Sequence, residues 1–210
     1  VKIKLSWFGL FPREHTPSVP PEMIFAGKFL YEMSSWTRAI VIPLAIVHSL
    51  NPMRPVPAGF SLTELFAERG SFAFANDHGL FSWRNFFLKL DGVLKSWERM
   101  GPASLRRNAI SRCKDWILAR TRYTDGLAAI YPPMMYTIMA LDLLGLDPAH
   151  EDRAEAQRQF DALLVDDERG FYIQPCFSVV WDTATIGFAL GEAGGLQADA
   201  AARAAGWLLT

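Results

Sequence analysis

The sequence has few cysteines, no excess charge of either sign and no long apolar run. Cys113 and Cys176 are the only cysteines in 210 residues, which excludes a disulfide scaffold and favours a reducing compartment. Lys and Arg number 21 against 22 for Asp and Glu, so the basic excess typical of a nucleic-acid-binding module is missing. The most apolar stretch, residues 39–50, contains Pro43 and His48 and falls well short of the ~20 residues that cross a bilayer.

The common sequence motifs of enzymes are also absent. There is no glycine-rich nucleotide loop, no zinc-protease or serine-hydrolase motif and no Cys-x-x-Cys pair. The four histidines are scattered without the spacing of metal ligands. Asp166, Asp167 and Glu168 form a carboxylate cluster, but Arg169 and Gly170 follow it directly, which favours a solvated turn over an acid–base pair.

The residues that are present indicate a folded, helical protein. Half of the chain is hydrophobic and 13% is aromatic, enough for a sizeable core. Apolar periodicity predicts a short helix over residues 22–30, a helix capped by Ser34 or Ser35, and five segments in the second half: 108–118, 134–144, 154–164, 181–193 and 198–209. Corresponding positions of these five segments recur at intervals of 44 to 49 residues. This period predicts an all-α fold of stacked helical hairpins, either an open solenoid or a closed α/α barrel.

Residues 80–100 form the strongest amphipathic pattern in the chain. Large apolar side chains recur every three or four residues and share one helix face: Leu80, Trp83, Phe87, Leu90, Leu94 and Trp97. Mostly basic residues occupy the other directions. Such a helix can lie in a membrane interface, although periodicity alone favours an ordinary core helix with a solvated face.

Four segments, in order along the chain, resemble the squalene–hopene cyclase family. They are Pro-Pro-Glu at 20–22, Met-Ser-Ser-Trp-x-Arg at 33–38, Asp-Gly-Leu-x-Ala-Ile-Tyr-Pro at 125–132, and Gln-Pro-Cys-Phe-Ser-Val-Val-Trp-Asp-Thr-Ala at 174–184. The last is similar to the family's Ser-Pro-Val-Trp-Asp-Thr-Ala, with Val179 in place of the proline. The resemblance extends over the whole sequence and covers a middle portion of the family's longer chain.

The resemblance implies an α/α barrel, or toroid, that is incomplete in this chain. Residues 1–105 would form a connector region with a membrane-facing amphipathic helix, and residues 106–210 part of the catalytic barrel domain. The implied activity is an isomerase-type cyclisation of squalene to hopene-type pentacyclic triterpenes, without metal or organic cofactor. A D-x-D-D aspartate of the family protonates the substrate; this motif is absent from the 210 residues and is expected beyond Thr210. We therefore expect the sequence to be part of a longer protein and to be inactive by itself.

The resemblance also assigns residue roles. Substrate-binding residues would be Trp36, Ile130, Pro132, Tyr136, Trp181 and Asp182, of which Asp182 would belong to a polar network and equally suits the dipole of a helix start. The access channel for substrate would be flanked by Met33 and Val41. The membrane-contacting residues would be Leu80, Trp83, Phe87 and Leu90.

The expected partners are squalene or a related polyprenoid and a membrane surface, with no nucleic acid. The family suggests a homodimer, located peripherally or monotopically on the cytoplasmic side of a bacterial cytoplasmic membrane. Two alternatives remain open: a non-catalytic helical-repeat protein that binds lipid, and a relative of the protein prenyltransferase subunits. The second alternative needs a zinc site, and the sequence shows no ligand cluster for one.

Overall fold

The computed structural model describes residues 1–62, 79, 82–122, 125–195 and 197–209. Its α-helices are α1 (Lys2–Trp7), α2 (Lys28–Glu32), α3 (Ser35–Leu50), α4 (Trp83–Met100), α5 (Ala103–Thr121), α6 (Tyr131–Leu143), α7 (Glu151–Asp161), α8 (Val179–Glu192) and α9 (Ala198–Leu208). Short 3₁₀ turns lie at Arg13–His15, Pro21–Ala26 and Leu127–Ala129. The chain is helix-rich with few strands, so the prediction of an all-α fold is confirmed.

The hydrophobic core lies around α3, which packs against α5 and α6. Its buried members are Trp7, Leu30, Ile42, Leu44, Ile46, Val47, Cys113, Ile117, Tyr136 and Ala140. On α5 the buried residues Ala109, Cys113, Ile117 and Thr121 follow one another at four-residue steps, so one stripe of this helix faces the core. Both the part of the chain before residue 105 and the part after it contribute residues to this core.

Local sequence signals fix both ends of α3. The Oγ atom of Ser34 accepts a hydrogen bond from the backbone N–H of Thr37 at 3.2 Å, so Ser34 is the N-cap. The helix continues through Pro43 and ends at Leu50, and its C-cap residue Asn51 adopts the left-handed conformation with φ of 49°. This helix brings the Trp36 motif to one end of the core.

Two helix predictions are wrong in part. Residues 22–30 are not one helix, because Gly27 has φ of 50° and separates the 3₁₀ turn from α2. The predicted helix over 154–164 ends at Asp161, and Leu164 begins a β-strand. Strands β1 (Leu164–Asp167) and β2 (Gly170–Ile173) form an antiparallel hairpin that sequence periodicity did not reveal.

Polar contacts attach α7 to the core helices. Arg122 pairs with Asp152 at 2.6 Å, and Arg153 pairs with Asp142 at 2.5 Å. The side-chain amide of Gln159 donates to the backbone oxygen of Thr121 at 2.9 Å. Because these ion pairs and this hydrogen bond depend on direction, they fix the position of α7 more precisely than apolar packing alone would.

Candidate functional site

A main-chain junction joins the two connections that precede α6 and α8. Ile130 and Cys176 form an isolated antiparallel bridge. The N–H of Tyr131 donates to the backbone oxygen of Pro175 at 2.9 Å, and the N–H of Phe177 donates to that of Ala129 at 2.8 Å. The structure therefore joins the segment that enters α6 to the segment that leads into α8, and with them the two motifs that resemble the cyclases.

The chain before α6 reaches this junction through unusual backbone conformations. Gly126 has φ of 83°, and a Cβ atom there would lie 2.5 Å from Cε of Met134, so no other residue fits without rearrangement. Ala128 and Ala129 also have positive φ, 59° and 52°. Left-handed backbone costs an alanine roughly 1–2 kcal/mol, so the surrounding contacts must hold this turn in place.

The proposed cavity residues differ in exposure. Trp36, near the start of α3, and Trp181, in the first turn of α8, have exposed fractions of 63% and 74%. Ile130 and Pro132 are half-buried beside the junction. The rings of both tryptophans are thus accessible from outside the core. A residue in the wall of a ligand cavity needs such an accessible ring face.

Tyr136 lies in the hydrophobic core and not on an open surface. Its ring makes an edge contact with Trp7, with centroids 6.1 Å apart. The Lys4 ammonium lies 5.5 Å from the Tyr136 ring and 5.2 Å from the Tyr131 ring. Burial raises the pKa of the Tyr136 hydroxyl and lowers the pKa of Lys4.

Asp182 occupies the first turn of α8 and is exposed. Its Oδ2 atom accepts a hydrogen bond from Oγ of Ser178 at 2.6 Å, and Ser178 is the N-cap residue of the helix. A carboxylate at this position is favoured by the positive end of the helix dipole. The geometry of Asp182 therefore suits a helix-start partner, and its side chain remains open to further polar groups.

Arg38 organises the turn that leads to Trp36, a role that sequence reasoning missed. Its Nη1 atom donates to the backbone oxygens of Tyr31, at 3.1 Å, and Met33. The guanidinium carbon lies 4.9 Å from the centroid of the Tyr31 ring. Met33 and Val41 are both half-buried, and the Met33 side chain packs against the core.

Helix α4 presents its apolar face outward. None of its residues is buried, and Trp83 has an exposed fraction of 77%. Its exposed large apolar side chains are Trp83, Phe86, Phe87, Leu90, Val93, Trp97 and Met100. Polar groups contact the body instead: Asp91 accepts from the N–H of Ser18 at 2.7 Å, and Lys95 donates to the backbone oxygen of Glu14 at 2.8 Å.

The core helix that periodicity alone favours therefore does not describe α4, none of whose residues is buried. Leu80, the first residue of the predicted membrane face, lies outside the described residues. Within the parts of the chain that the structure describes, no helix has both the length and the apolar character to cross a membrane.

With this geometry established, comparison with known proteins identifies the family. Residues 1–169 match the squalene–hopene cyclase N-terminal domain. The chain belongs to the squalene–hopene cyclase family, and it forms part of the α/α-barrel architecture.

Several curated relatives match nearly the whole chain. The squalene–hopene cyclase of Zymomonas mobilis is 34% identical, covering 99% of this chain and 33% of its own length. The squalene–hopene cyclase of Bradyrhizobium diazoefficiens is 36% identical, with 96% and 32% covered. The dammaradiene synthase of Dryopteris crassirhizoma is 33% identical, with 99% and 31% covered. The chain thus spans about a third of the length of these relatives, as expected for part of a longer protein.

Proposed function

We propose that this chain is part of a triterpene cyclase that converts squalene to hopene-type pentacyclic triterpenes. Family membership supports the reaction class. One structural observation supports the specific role: the main-chain junction at Ile130 and Cys176 joins the segment before α6 to the segment that leads to the exposed Trp181 in the first turn of α8. In this proposal Trp36, Ile130, Pro132, Tyr136, Trp181 and Asp182 contribute to the substrate cavity and its surroundings.

The proposed reaction needs an environment that stabilises a carbocation without a nearby nucleophile. An aromatic face attracts a cation by ~0.5–2 kcal/mol, and the exposed faces of Trp36 and Trp181 can provide such contacts. Apolar walls also fold a flexible polyene into a reactive shape and exclude water that would quench the cation. The initiating proton would come from the family's D-x-D-D aspartate, a motif that these 210 residues lack.

Squalene dissolves in lipid, so a cyclase benefits from direct contact with a bilayer. We propose that α4 provides this contact through Trp83, Phe87, Leu90 and their exposed neighbours. The outward apolar face and inward polar face of α4 support this proposal. The protein would then lie peripherally or monotopically on the cytoplasmic side of a bacterial membrane, as a homodimer, with substrate passing Met33 and Val41.

The proposal is tested by incubating the complete protein with squalene in detergent and analysing the products by gas chromatography and mass spectrometry. Trp181→Ala should reduce product formation by roughly 2- to 30-fold, since it removes one cation-stabilising face worth ~0.5–2 kcal/mol. Trp207→Ala, on the exposed part of α9, is the matched control and should keep most of the activity. Binding of squalene without any cyclised product would favour the lipid-binding alternative.

A further inference from the structure

A tyrosine held by two arginines joins α5 to the turn between α2 and α3. Tyr31 lies in the last turn of α2, which ends at Glu32. The guanidinium carbon of Arg38, in α3, lies 4.9 Å from the centroid of the Tyr31 ring. Nη2 of Arg120, in α5, donates a hydrogen bond to the Tyr31 hydroxyl at 3.3 Å. We call Tyr31, Arg38 and Arg120 the Tyr31 clamp.

The α5 side of the clamp is oriented by the hydrophobic core. The guanidinium carbon of Arg120 lies 4.1 Å from the centroid of the Trp116 ring, and its Nη1 atom donates to the backbone oxygen of Trp116 at 3.2 Å. Trp116 in turn packs against the core. Because a planar guanidinium stacked on an aromatic ring loses much of its freedom, Arg120 presents Nη2 to Tyr31 in a defined direction.

The α3 side of the clamp acts on the main chain. The last carbonyl groups of a helix have no partner within that helix. Nη1 of Arg38 donates to two such groups at the end of α2, the backbone oxygens of Tyr31 and Met33. One guanidinium therefore contacts both the ring of Tyr31 and the backbone of Met33, so that the ring and the turn are held together.

The exposure of Tyr31 indicates a role in position more than in burial. Its exposed fraction is 54%, so its ring contributes little to the hydrophobic core. Contacts of arginine with exposed aromatic rings contribute only modestly to overall stability. The backbone of Met33, in contrast, is extended and lies at the point where α2 ends and the turn to α3 begins. The main effect of the clamp is therefore to fix this turn.

We propose that the Tyr31 clamp holds the Met33 side of the substrate access channel in the position that admits the polyprenoid chain. The proposal rests on the proposed function, in which Met33 and Val41 flank that channel. Tyr31, Arg38 and Arg120 are positioning residues that do not touch the reacting atoms. When only a fraction of the molecules has the competent turn, apparent substrate affinity falls by that fraction. Loss of the clamp should therefore raise KM for squalene and leave kcat nearly unchanged.

Steady-state kinetics of the complete protein with squalene in detergent test the proposal. Arg38→Met removes the guanidinium and should raise KM at least about threefold, with kcat within about twofold of the parent. Tyr31→Ala should have a similar effect, and the double variant should show little further increase, because both residues belong to one unit. Arg112→Met, on the exposed side of α5, is the matched control and should keep the KM of the parent.

Two further variants separate positioning from folding. Arg38→Lys keeps a cation and hydrogen-bond donors, so its KM should lie between those of the parent and Arg38→Met. Tyr31→Phe removes only the hydroxyl, so it tests the contact with Arg120 even if Arg38→Met fails to fold. Its KM should exceed that of the parent and should not rise further when Arg120→Gln is added.

The outcomes distinguish this proposal from the proposed function. If the parent forms cyclised products while Arg38→Met, Tyr31→Ala and Tyr31→Phe keep its KM, the clamp does not position the channel and the proposed function stands. A lower kcat with unchanged KM would indicate a purely structural role and would also overturn the clamp. If the parent forms no cyclised product, the proposed function fails and the clamp proposal fails with it.

Discussion

At the scale of single residues, the most consequential side chains are those whose partners are distant in sequence. Arg38 is visible in the Met-Ser-Ser-Trp-x-Arg segment, but its sequence context does not reveal that it binds the backbone oxygens of Tyr31 and Met33. The contact of Tyr136 could not be predicted either, because its ring packs edge-on against Trp7, a residue far away in the sequence. Motif similarity could identify such residues, whereas their contacts depend on tertiary structure.

The two cysteines should differ sharply in reactivity. Cys113 is fully buried, and burial raises the pKa of its thiol to about 12, so almost no thiolate is present at pH 8. Cys176 is half-buried at the junction before α8. We expect an alkylating reagent to modify Cys176 in the native protein and Cys113 only after denaturation, as followed by peptide mass spectrometry. Equal labelling rates in the native protein would contradict this assignment.

His48 should make the protein less stable in mild acid. Its pKa is about 4 in the folded protein against an ordinary 6.5, so the unfolded chain binds a proton that the folded chain excludes. The stability that the neutral ring contributes is fully present above pH 6.5 and is lost as the pH falls towards 4, by at most about 3 kcal/mol.

Denaturant unfolding of the parent and His48→Gln between pH 7 and pH 4.5 measures this effect. The variant should lose less free energy of unfolding than the parent over this range. His150→Asn is the control, because it removes a half-exposed histidine and keeps an N-cap acceptor for α7. If the free energy of unfolding fell equally with pH in the parent and in His48→Gln, another group would control the acid sensitivity.

At the scale of elements, the hydrophobic periodicity of the sequence predicted where most helices lie, but not which face of a helix packs against the rest of the protein. The helices over 134–144, 181–193 and 198–209 were predicted almost to their ends, since each has a long apolar repeat. The period could not show which way α4 faces, because a membrane face and a core face have the same pattern. It also missed the β1–β2 hairpin, which depends on the turn at Gly170 with φ of 110° and on cross-strand pairing.

The outward face of α4 should control lipid binding without controlling stability. Trp83→Gln, Phe87→Gln and Leu90→Gln together should weaken vesicle binding at least about a hundredfold, because each removes a large apolar contact. The free energy of unfolding should change by less than about 1 kcal/mol, since these residues are exposed in the folded protein. Vesicle sedimentation and denaturant unfolding provide the two readouts.

A matched control uses exposed apolar residues elsewhere. Phe171→Gln and Ile173→Gln alter β2, where both side chains are exposed to a comparable degree. Their vesicle binding should stay close to that of the parent. If this pair weakened binding as much as the α4 variants do, membrane contact would not be specific to α4.

At the scale of the whole molecule, family and fold class were predictable while the geometry of the site was not. The family could be predicted from the four motifs, because four matching segments in the same order rarely occur together by chance. The junction of Ile130 with Cys176 was not foreseeable as a bridge, since it depends on the left-handed turn at Ala128 and Ala129. Long-range pairing of this kind is set by tertiary packing, which local preference does not encode.

The isolated 210-residue chain should not cyclise squalene. It lacks the D-x-D-D motif that the resemblance implies as the proton donor, so we expect no ring closure to begin. Incubation of the purified chain with squalene, followed by mass spectrometric analysis, should return only the substrate. Hopene or any other cyclised product from the isolated chain would contradict this prediction.

The main-chain junction between Ala129–Tyr131 and Pro175–Phe177 has a consequence for how the protein can evolve. Its hydrogen bonds join backbone atoms only, so they persist when the side chains of Ile130, Cys176 or Phe177 are replaced. In the proposed cyclase, mutations there would change the side chains that face the substrate while the main-chain bridge between the two segments stays intact. Such a division would let product specificity change on an unchanged frame, which makes these positions suitable targets for directed evolution.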